Sequence, residues 1–251
     1  MAFLKKNRLK KEEPLIEFFS LAPGLELIGE CIPKPTKSFT PDWWKAIPSQ
    51  INKSPENFFG ISTVKMCPSF PDYFSQGFVV TMWADTLLTY DESSATWNSH
   101  VGAPDGANPF SVEAHINEQF IDHVNPTLLG STGSFVFKLN CPWKIKTPKN
   151  YSVLQLPMFY HFNSEFSVLP GVIHTDIHHD INQQLVYYGN GKEIFIPRGT
   201  PLAQYIPFKR NKYTHEVRSA NAVDRDLLVR KALGHTTKFF GEYRLRKNES
   251  N

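Results

Sequence analysis

Short apolar runs of alternating character dominate the second half of the chain. Successive side chains of a strand point to opposite faces, so such runs, rich in β-branched and aromatic residues, predict strands. They occur at residues 77–83, 85–90, 134–139, 151–156, 181–188, 192–196 and 201–208. Short strands at this spacing predict an all-β barrel or sandwich. Asn190–Gly191 separates two of the runs and predicts a hairpin, because a type I′ turn needs positive φ.

The first half of the chain is less regular. Residues 14–32 predict an edge strand, and residues 33–48, which contain four prolines, predict an extended segment that resembles polyproline. We expect Trp43–Trp44 in this segment to cover a sheet face, with a stacking platform for a ring as the alternative. Residues 91–110 are rich in Ser, Asn, Gly, Asp and Pro and predict a long loop.

Two helices are predicted. Residues 112–122 are compatible with a short helix, and residues 219–241 place apolar side chains on one helical face, which predicts a C-terminal helix. The chain is therefore expected to form one compact unit with four parts. These are a basic arm at 1–13, a β-rich layer with long loops at 14–130, a β core at 131–212, and a helix with a basic tail at 213–251.

Composition indicates a folded, β-rich protein. Of 251 residues, 41% are hydrophobic and 20% are charged, which excludes a wholly disordered chain. An aromatic share of 14% and 19 prolines favour strands and turns over helices. The net charge of +3 by itself predicts no nucleic-acid partner. Basic runs near both ends are expected to be solvated tails, or else arms that contact an acidic partner.

Cysteine spacing and hydropathy limit the expected compartment. Cys31, Cys67 and Cys141 are odd in number and far apart, so neither a zinc ribbon nor a disulfide framework is expected. The basic start lacks the apolar segment of a secretory signal, and no apolar run is long enough to span a membrane. We therefore expect no membrane contact and a cytoplasmic location, in a cell, in the host of a virus, or in the virion.

Three short motifs follow one another between residues 147 and 208. Leu156–Pro157 ends a predicted strand, Pro170–Asp176 reads Pro-Gly-Val-Ile-His-Thr-Asp, and Gly199–Gln204 reads Gly-Thr-Pro-Leu-Ala-Gln. In this order and spacing they resemble the core of the dUTPase and dCTP-deaminase superfamily. The resemblance implies a mainly β fold, a dUTPase-like β-clip barrel or sandwich with an N-terminal extension and a C-terminal helix. It also implies a protein of phage type.

Positions that carry chemistry in that superfamily hold other residues here. His174 stands where dUTPases keep the aspartate that holds the attacking water, and Ile177 stands where they keep the ring that stacks on the deoxyribose. Met158 and Phe159 replace the arginine and serine of the phosphate-binding loop, which removes a cation and a hydroxyl. Gln184 falls at the glutamate of dCTP deaminases, and an amide cannot transfer that proton. The resemblance, with these substitutions, predicts a non-catalytic protein.

The resemblance also implies a ligand pocket around the motifs. Its expected residues are Tyr151, Tyr160, His161, Asn163, Gly171, His174, Asp176 and Gln204. Gly171 is expected at a turn, where its missing Cβ lets the backbone approach a ligand. The expected ligand is a nucleotide-like small molecule, and no cofactor is expected. By family analogy the chain would form a homo-oligomer, a trimer, or bind virion proteins, and so act as a ligand-binding or assembly module.

Other hypotheses stay open. His174 and Asp176, together with His215, match the ligand pattern of Fe(II)/2-oxoglutarate-dependent oxygenases. His174 and His178 would bind one metal at helical spacing, but the Pro-Gly pair upstream disfavours a helix, so surface-turn histidines without a ligand are expected there, His179 included. A third hypothesis is a structural virion component that uses its basic arms and C-terminal helix as contacts.

Overall fold

The computed structural model describes residues 14–58, 60–91, 93–94, 96–102, 111–124, 135–188 and 193–226. The chain divides into two units, each built from two stretches: Met1–Ile47 with Asp72–Arg210, and Pro48–Pro71 with Asn211–Asn251. The predicted arm at 1–13 and the Asn190–Gly191 turn lie outside the described residues. So does most of the predicted C-terminal helix, of which residues 222–226 are described and helical.

The secondary structure of the described residues is mostly strand. The strands are β1 (Glu17–Ser20), β2 (Lys34–Pro35), β3 (Gln50–Ile51), β4 (Ile61–Ser62), β5 (Phe78–Thr81), β6 (Thr86–Asp91), β7 (Thr96–Val101), β8 (Val112–Ala114), β9 (Phe135–Leu139), β10 (Trp143–Lys146), β11 (Tyr151–Pro157), β12 (Phe166–Val168), β13 (Gly171–Ile173), β14 (Gln183–Tyr187), β15 (Glu193–Ile196) and β16 (Pro201–Lys209). Two short helices are α1 (Asp42–Ala46) and α2 (Ser69–Phe74). Single 3-10 turns lie at Leu25–Leu27, Thr36–Phe39, Val64–Met66, Asn117–Gln119, Ile121–His123 and Phe159–His161.

The paired strands form several antiparallel sheets. In the first unit these are a five-stranded sheet in the order β13-β11-β16-β5-β2, a four-stranded sheet β12-β14-β9-β8, a three-stranded sheet β15-β6-β7, and the pair β1-β10. The second unit contains the pair β3-β4. This confirms the predicted mainly β class, and each of the seven predicted apolar runs contains a strand. None of the described helices is both long enough and apolar enough to cross a membrane.

One hydrophobic cluster draws side chains from all four sheets of the first unit. Its fully buried members include Met82, Leu139, Ile145, Leu185 and Ile196. Several strands are buried at consecutive positions, as at Val79–Thr81 of β5 and Leu202–Tyr205 of β16, which explains why short apolar runs located them.

A chain of buried polar groups runs through the same core. The Gln183 Nε2 atom donates to the Tyr205 hydroxyl at 2.9 Å, and this hydroxyl donates to Gln155 Oε1 at 2.9 Å. Gln155 Nε2 then donates to the carbonyl oxygen of Leu169 at 2.8 Å. The chain links β14 of the four-stranded sheet to β16 and β11 of the five-stranded sheet, so it fixes the two sheets relative to each other.

Three local predictions are wrong. The strand β14 pairs with β12 and β9, whereas β15 pairs with β6, so these two strands do not form the predicted hairpin. The predicted helix at 112–122 begins as strand β8, because Val112 is buried and pairs with Leu139, and continues as two 3-10 turns. The predicted loop at 91–110 contains strand β7, which pairs with β6 along its whole length.

The proline-rich segment contains a helix where an extended chain was predicted. The helix α1 begins directly after Pro41, whose φ of −62° suits a helix start, and ends before Ile47–Pro48. Trp44 is buried and packs against Phe74, with ring centroids 5.3 Å apart. Trp43 is 38% exposed and packs against Phe162 at 5.5 Å. Upstream, β1 lies within the predicted edge strand and pairs with β10.

Candidate ligand-binding site

Strand β11 organises the predicted site, because it lies between β13 and β16 and is antiparallel to both. Gln155 is opposite Gly171 on one side and Tyr205 on the other, and Leu156 is opposite Gln204. Gly171 and Gln204 are therefore two strands apart, roughly 10 Å. The strand has two ends with different chemistry.

An ion pair closes the N-terminal end of β11, which is called the closed end below. Arg210 Nη1 donates to Asp176 Oδ1 at 2.7 Å and Arg210 Nη2 donates to Asp176 Oδ2 at 2.5 Å, a bidentate geometry. The backbone N–H of Asn150 donates to Asp176 Oδ2 at 2.9 Å. The Asp176 side chain is only 6% exposed. The hydrogen bonds from Arg210 are the main reason why the pKa of Asp176 falls to about 2. This carboxylate is permanently charged near neutral pH and fully engaged.

His174 belongs to the same network. Its Nδ1 atom lies 2.8 Å from the hydroxyl of Ser152, which also accepts a hydrogen bond from Arg210 Nη1 at 2.9 Å. Ser152 is fully buried, whereas His174 is exposed and its carbonyl accepts bonds from Ile177 and His178. His174 therefore lies on a turn, as predicted, with one ring nitrogen oriented by the protein.

The C-terminal end of β11 opens into a cavity of about 440 Å³. Its lining residues come from the end of β11 and the turn after it, from β12, from the position after β14, and from the segment that leads into and begins β16. They are Pro157, Met158, Phe159, His161, Phe162, Asn163, Phe166, Ser167, Val168, Tyr188, Thr200, Pro201 and Leu202. None of these described lining residues is Asp, Glu, Lys or Arg, so the walls are apolar and aromatic with a few polar groups.

The turn beside this cavity is held in place by hydrogen bonds. Trp43 Nε1 donates to the carbonyl of Tyr160 at 2.8 Å, and His161 Nε2 donates to the carbonyl of Phe39 at 2.9 Å. Asn163 Oδ1 accepts from two backbone N–H groups, at 2.8 and 3.1 Å. Phe162 adopts φ +50° and ψ +41°, a left-handed conformation that costs a non-glycine residue about 1–2 kcal/mol. Phe162 is 63% exposed, and this strained residue lines the cavity.

The structure divides the eight predicted site residues between the two ends of β11. His161 and Asn163 line the cavity. Tyr160 and Gln204 instead line, with His161, a small neighbouring void of about 10 Å³. Gln204 is buried, and its Nε2 atom donates to the carbonyl of Gln76 at 2.8 Å, which is a structural contact.

The other predicted residues do not line the cavity. Tyr151, His174 and Asp176 belong to the closed end, where the carbonyl of Tyr151 accepts from Arg210 at 3.3 Å. Gly171 was expected at a turn, but it begins strand β13 and its φ is not positive. A Cβ at this position would meet no atom within 4 Å. The structure therefore does not bring all eight predicted residues to the lining of one cavity.

Metal binding receives no geometric support. The described residues include no group of three or more His, Cys, Asp or Glu side chains arranged to hold a metal. Asp176 pairs with Arg210, and His215 belongs to the second unit. His179 Nδ1 lies 2.9 Å from the carbonyl of Thr175, and His178 Nε2 lies 3.5 Å from Asp180. The oxygenase triad of His174, Asp176 and His215 stays a prediction.

Sequence reasoning missed several of the cavity residues. Phe162, Phe166, Tyr188 and Leu202 line the cavity but were not among the predicted site residues. One signal was available: Leu202 lies inside the last of the three motifs. The left-handed backbone of Phe162 has no sequence signature, because the residue is not Gly, Asn or Asp.

Comparisons with known proteins bear on the fold only. No protein-family model and no curated protein matches the sequence. Among solved structures, EIAV dUTPase is similar at 12% identity and a TM-score of 0.31, over 58% of this chain and 85% of that one. A point mutant of the dUTPase from phage phi11 of S. aureus is similar at 10% identity and a TM-score of 0.31, over 58% of this chain and 82% of that one. A point mutant of Staphylococcus bacteriophage 80alpha dUTPase is similar at 8% identity and a TM-score of 0.36, over 83% of this chain and 99% of that one. Similarity at this level carries no conclusion about chemistry.

Proposed function

We propose that this chain is a non-catalytic, dUTPase-like binding protein whose cavity at the end of β11 accepts an uncharged ring, such as that of a nucleoside. The observation that carries the proposal is the lining itself: aromatic and apolar walls with a few polar groups and, among the described lining residues, no Asp, Glu, Lys or Arg. A volume of about 440 Å³ lies within the usual range of small-molecule sites.

The neutral lining argues against a triphosphate as the main ligand. Phosphate recognition relies on Arg or Lys, or on backbone N–H groups at a helix N-terminus, to offset the charge. The positions that would supply the arginine and serine in the superfamily are Met158 and Phe159, and both line this cavity. A ring can instead pack against these side chains, with Asn163 or Thr200 available for hydrogen bonds.

The closed end argues against hydrolysis. A general base must reach the attacking water and must be able to accept its proton. Asp176 is held by Arg210 with a pKa of about 2, so it is a poor base and is not accessible. His174 is exposed, but it lies at the opposite end of β11 from the cavity.

Calorimetric titration with the deoxynucleosides and their triphosphates tests the proposal, together with assays for pyrophosphate and ammonia release. We expect a nucleoside to bind at least as tightly as its triphosphate, and we expect no turnover. Turnover of any triphosphate would refute the loss of catalysis. Clearly tighter binding of triphosphates would refute the neutral-ring ligand.

A blocking variant locates the site. Ser167 lies in β12 and lines the cavity, so Ser167→Trp should fill it and abolish binding while the β fold is retained. Ser219→Trp is the matched control, because Ser219 is exposed and lines no described cavity. Unchanged binding by Ser167→Trp would place the ligand elsewhere.

The resemblance extends the proposal to assembly and origin. We infer a homotrimer of phage type that binds other virion proteins or a nucleotide-like ligand in the host cytoplasm or the virion. Light scattering after size exclusion tests the trimer, and a monomer at all concentrations would contradict it. The alternative, an Fe(II)/2-oxoglutarate oxygenase, predicts bound iron and succinate release, and metal analysis distinguishes the two.

A further inference from the structure

A second groove, of about 690 Å³, is lined by side chains of β6, β7, β8 and β9 and of the 3-10 turns that follow β8. It shares no lining residue with the cavity at the end of β11. All of its lining residues belong to the first unit, so its walls come from two sheets of the same hydrophobic core. The proposed function makes no use of this groove.

Three aromatic rings form one wall of the groove. Tyr90 and Trp97 are directly opposite each other on β6 and β7, with centroids 5.5 Å apart. Phe135, at the start of β9, lies 5.2 Å from Trp97 and 5.7 Å from Tyr90. Trp97 also packs edge-on against the buried Phe137 at 5.1 Å, which fixes the group to the core. Each of the three rings is half-buried, so the group retains a surface for a ligand.

The charged residues of the groove are acidic. Glu113, Glu118 and Asp122 line it, and none of the described lining residues is Lys or Arg. Glu113 is already engaged, because Ser111 and Asn140 donate to its carboxylate at 3.0 and 2.6 Å. Glu118 and Asp122 are exposed, and within the described part of the chain neither carboxylate has a hydrogen-bond or ion-pair partner.

The histidine of the groove is a fixed part of its wall. His115 has both ring nitrogens engaged, Nδ1 at 2.8 Å from Gln119 Oε1 and Nε2 at 2.7 Å from Gln184 Oε1. Val112, Ala114 and Ile116 complete the wall with apolar surface. The groove therefore combines a negative rim with aromatic and aliphatic walls.

We propose that this groove binds a small alkylated ammonium ion. An aromatic face attracts a cation within about 6 Å of its centroid, and alkyl groups on nitrogen supply apolar surface that a hydrated metal ion lacks. The carboxylates of Glu118 and Asp122 balance the positive charge. A neutral or anionic ligand would leave both carboxylates without a counter-charge.

Calorimetric titration of the full chain with choline and with its neutral isostere 3,3-dimethyl-1-butanol tests the proposal. The two probes match in shape and differ in charge, so choline should saturate and the alcohol should bind at least about tenfold more weakly. Equal affinity of the two probes, or no saturable binding of choline, would overturn the proposal. Binding of choline should weaken as salt rises, because the rim carboxylates are exposed.

Paired variants assign the site. Glu118→Gln with Asp122→Asn should weaken choline about fivefold or more, whereas Glu26→Gln, an exposed glutamate outside the groove, should leave affinity unchanged. Tyr90→Leu should weaken it about fivefold, whereas Tyr90→Phe keeps a ring and should bind as the wild type does. Melting temperatures near that of the wild type establish that each variant is folded. Unchanged affinity in both the charge variant and Tyr90→Leu would also overturn the proposal.

Discussion

Replacing Tyr205 by Phe tests the role of the buried polar chain in holding the two main sheets together. Tyr205 is fully buried, and its hydroxyl both accepts from Gln183 and donates to Gln155, each at 2.9 Å. The substitution removes one oxygen and no carbon, so the aromatic packing stays. It leaves an amide donor and an amide acceptor in the core without partners.

The expected cost follows from these two lost bonds. A buried polar group without a partner costs about 1–3 kcal/mol, so two stranded groups with partial relaxation should lower the free energy of unfolding by about 2–4 kcal/mol. In a chain of this size that corresponds to a fall in melting temperature of about 4–16 °C. Urea titration followed by fluorescence measures the first quantity, and calorimetry measures the second.

A matched control and a double substitution make the test decisive. Tyr213 is 82% exposed, so Tyr213→Phe should change stability by less than about 0.5 kcal/mol. Gln155→Leu combined with Tyr205→Phe should cost less than the sum of the two single changes, because the second change strands fewer groups. A loss for Tyr205→Phe no greater than that for Tyr213→Phe would refute the argument that this hydroxyl links the sheets.

Three further outcomes are expected. The folded-state pKa of Asp176, about 2, lies below its usual value of 3.8. The stability that Asp176 contributes is therefore complete above about pH 4 and is lost as pH falls toward 2. The difference in unfolding free energy between wild type and Asp176→Asn, measured by urea titration, should close over that range. Gly77 and Gly24 both have positive φ, but only at Gly77 would a Cβ overlap a backbone carbonyl of β16, so Gly77→Ala should cost at least about 3 kcal/mol and Gly24→Ala about 1–2. Burial raises the pKa of the Cys141 thiol to about 12 while Cys67 is exposed, so Ellman's reagent should modify Cys67 in the native protein and Cys141 only after unfolding.

The sequence predicted strands well and their pairing poorly. Runs such as 151–156 and 201–208 became β11 and β16, whose consecutive buried positions, such as Leu202 and Ala203, make an apolar run the signal of a strand. The Asn190–Gly191 signal is equally strong locally, yet β14 already has β12 and β9 on its two edges. A turn preference of this kind cannot report that both edges of a strand are occupied.

The contact between Asp176 and Arg210 at the closed end of β11 follows from the pairing of the strands. Asp176 follows β13, and Arg210 directly follows β16. Since both strands are antiparallel to β11, their C-terminal ends fall beside its N-terminal end, next to Asn150 and Ser152. The pair was therefore within reach of sequence reasoning once the sheet order was known. Without that order, residues 34 positions apart give no sign of contact.

The same register explains why the predicted pocket divides into two parts. Gln204 is opposite Leu156, near the C-terminal end of β11, whereas Ile173, which precedes His174, is opposite Val153 near its start. Motif order along the chain therefore does not bring these side chains to one place. At the N-terminal end of β11, Arg210 pairs with Asp176, the acidic residue that the turn motif retains. At the C-terminal end, a cavity without Asp, Glu, Lys or Arg among its described lining residues lies beside a turn held by Trp43 and His161. A chain can thus hold its motifs on paired strands while the side chains of those motifs lie at opposite ends of one strand.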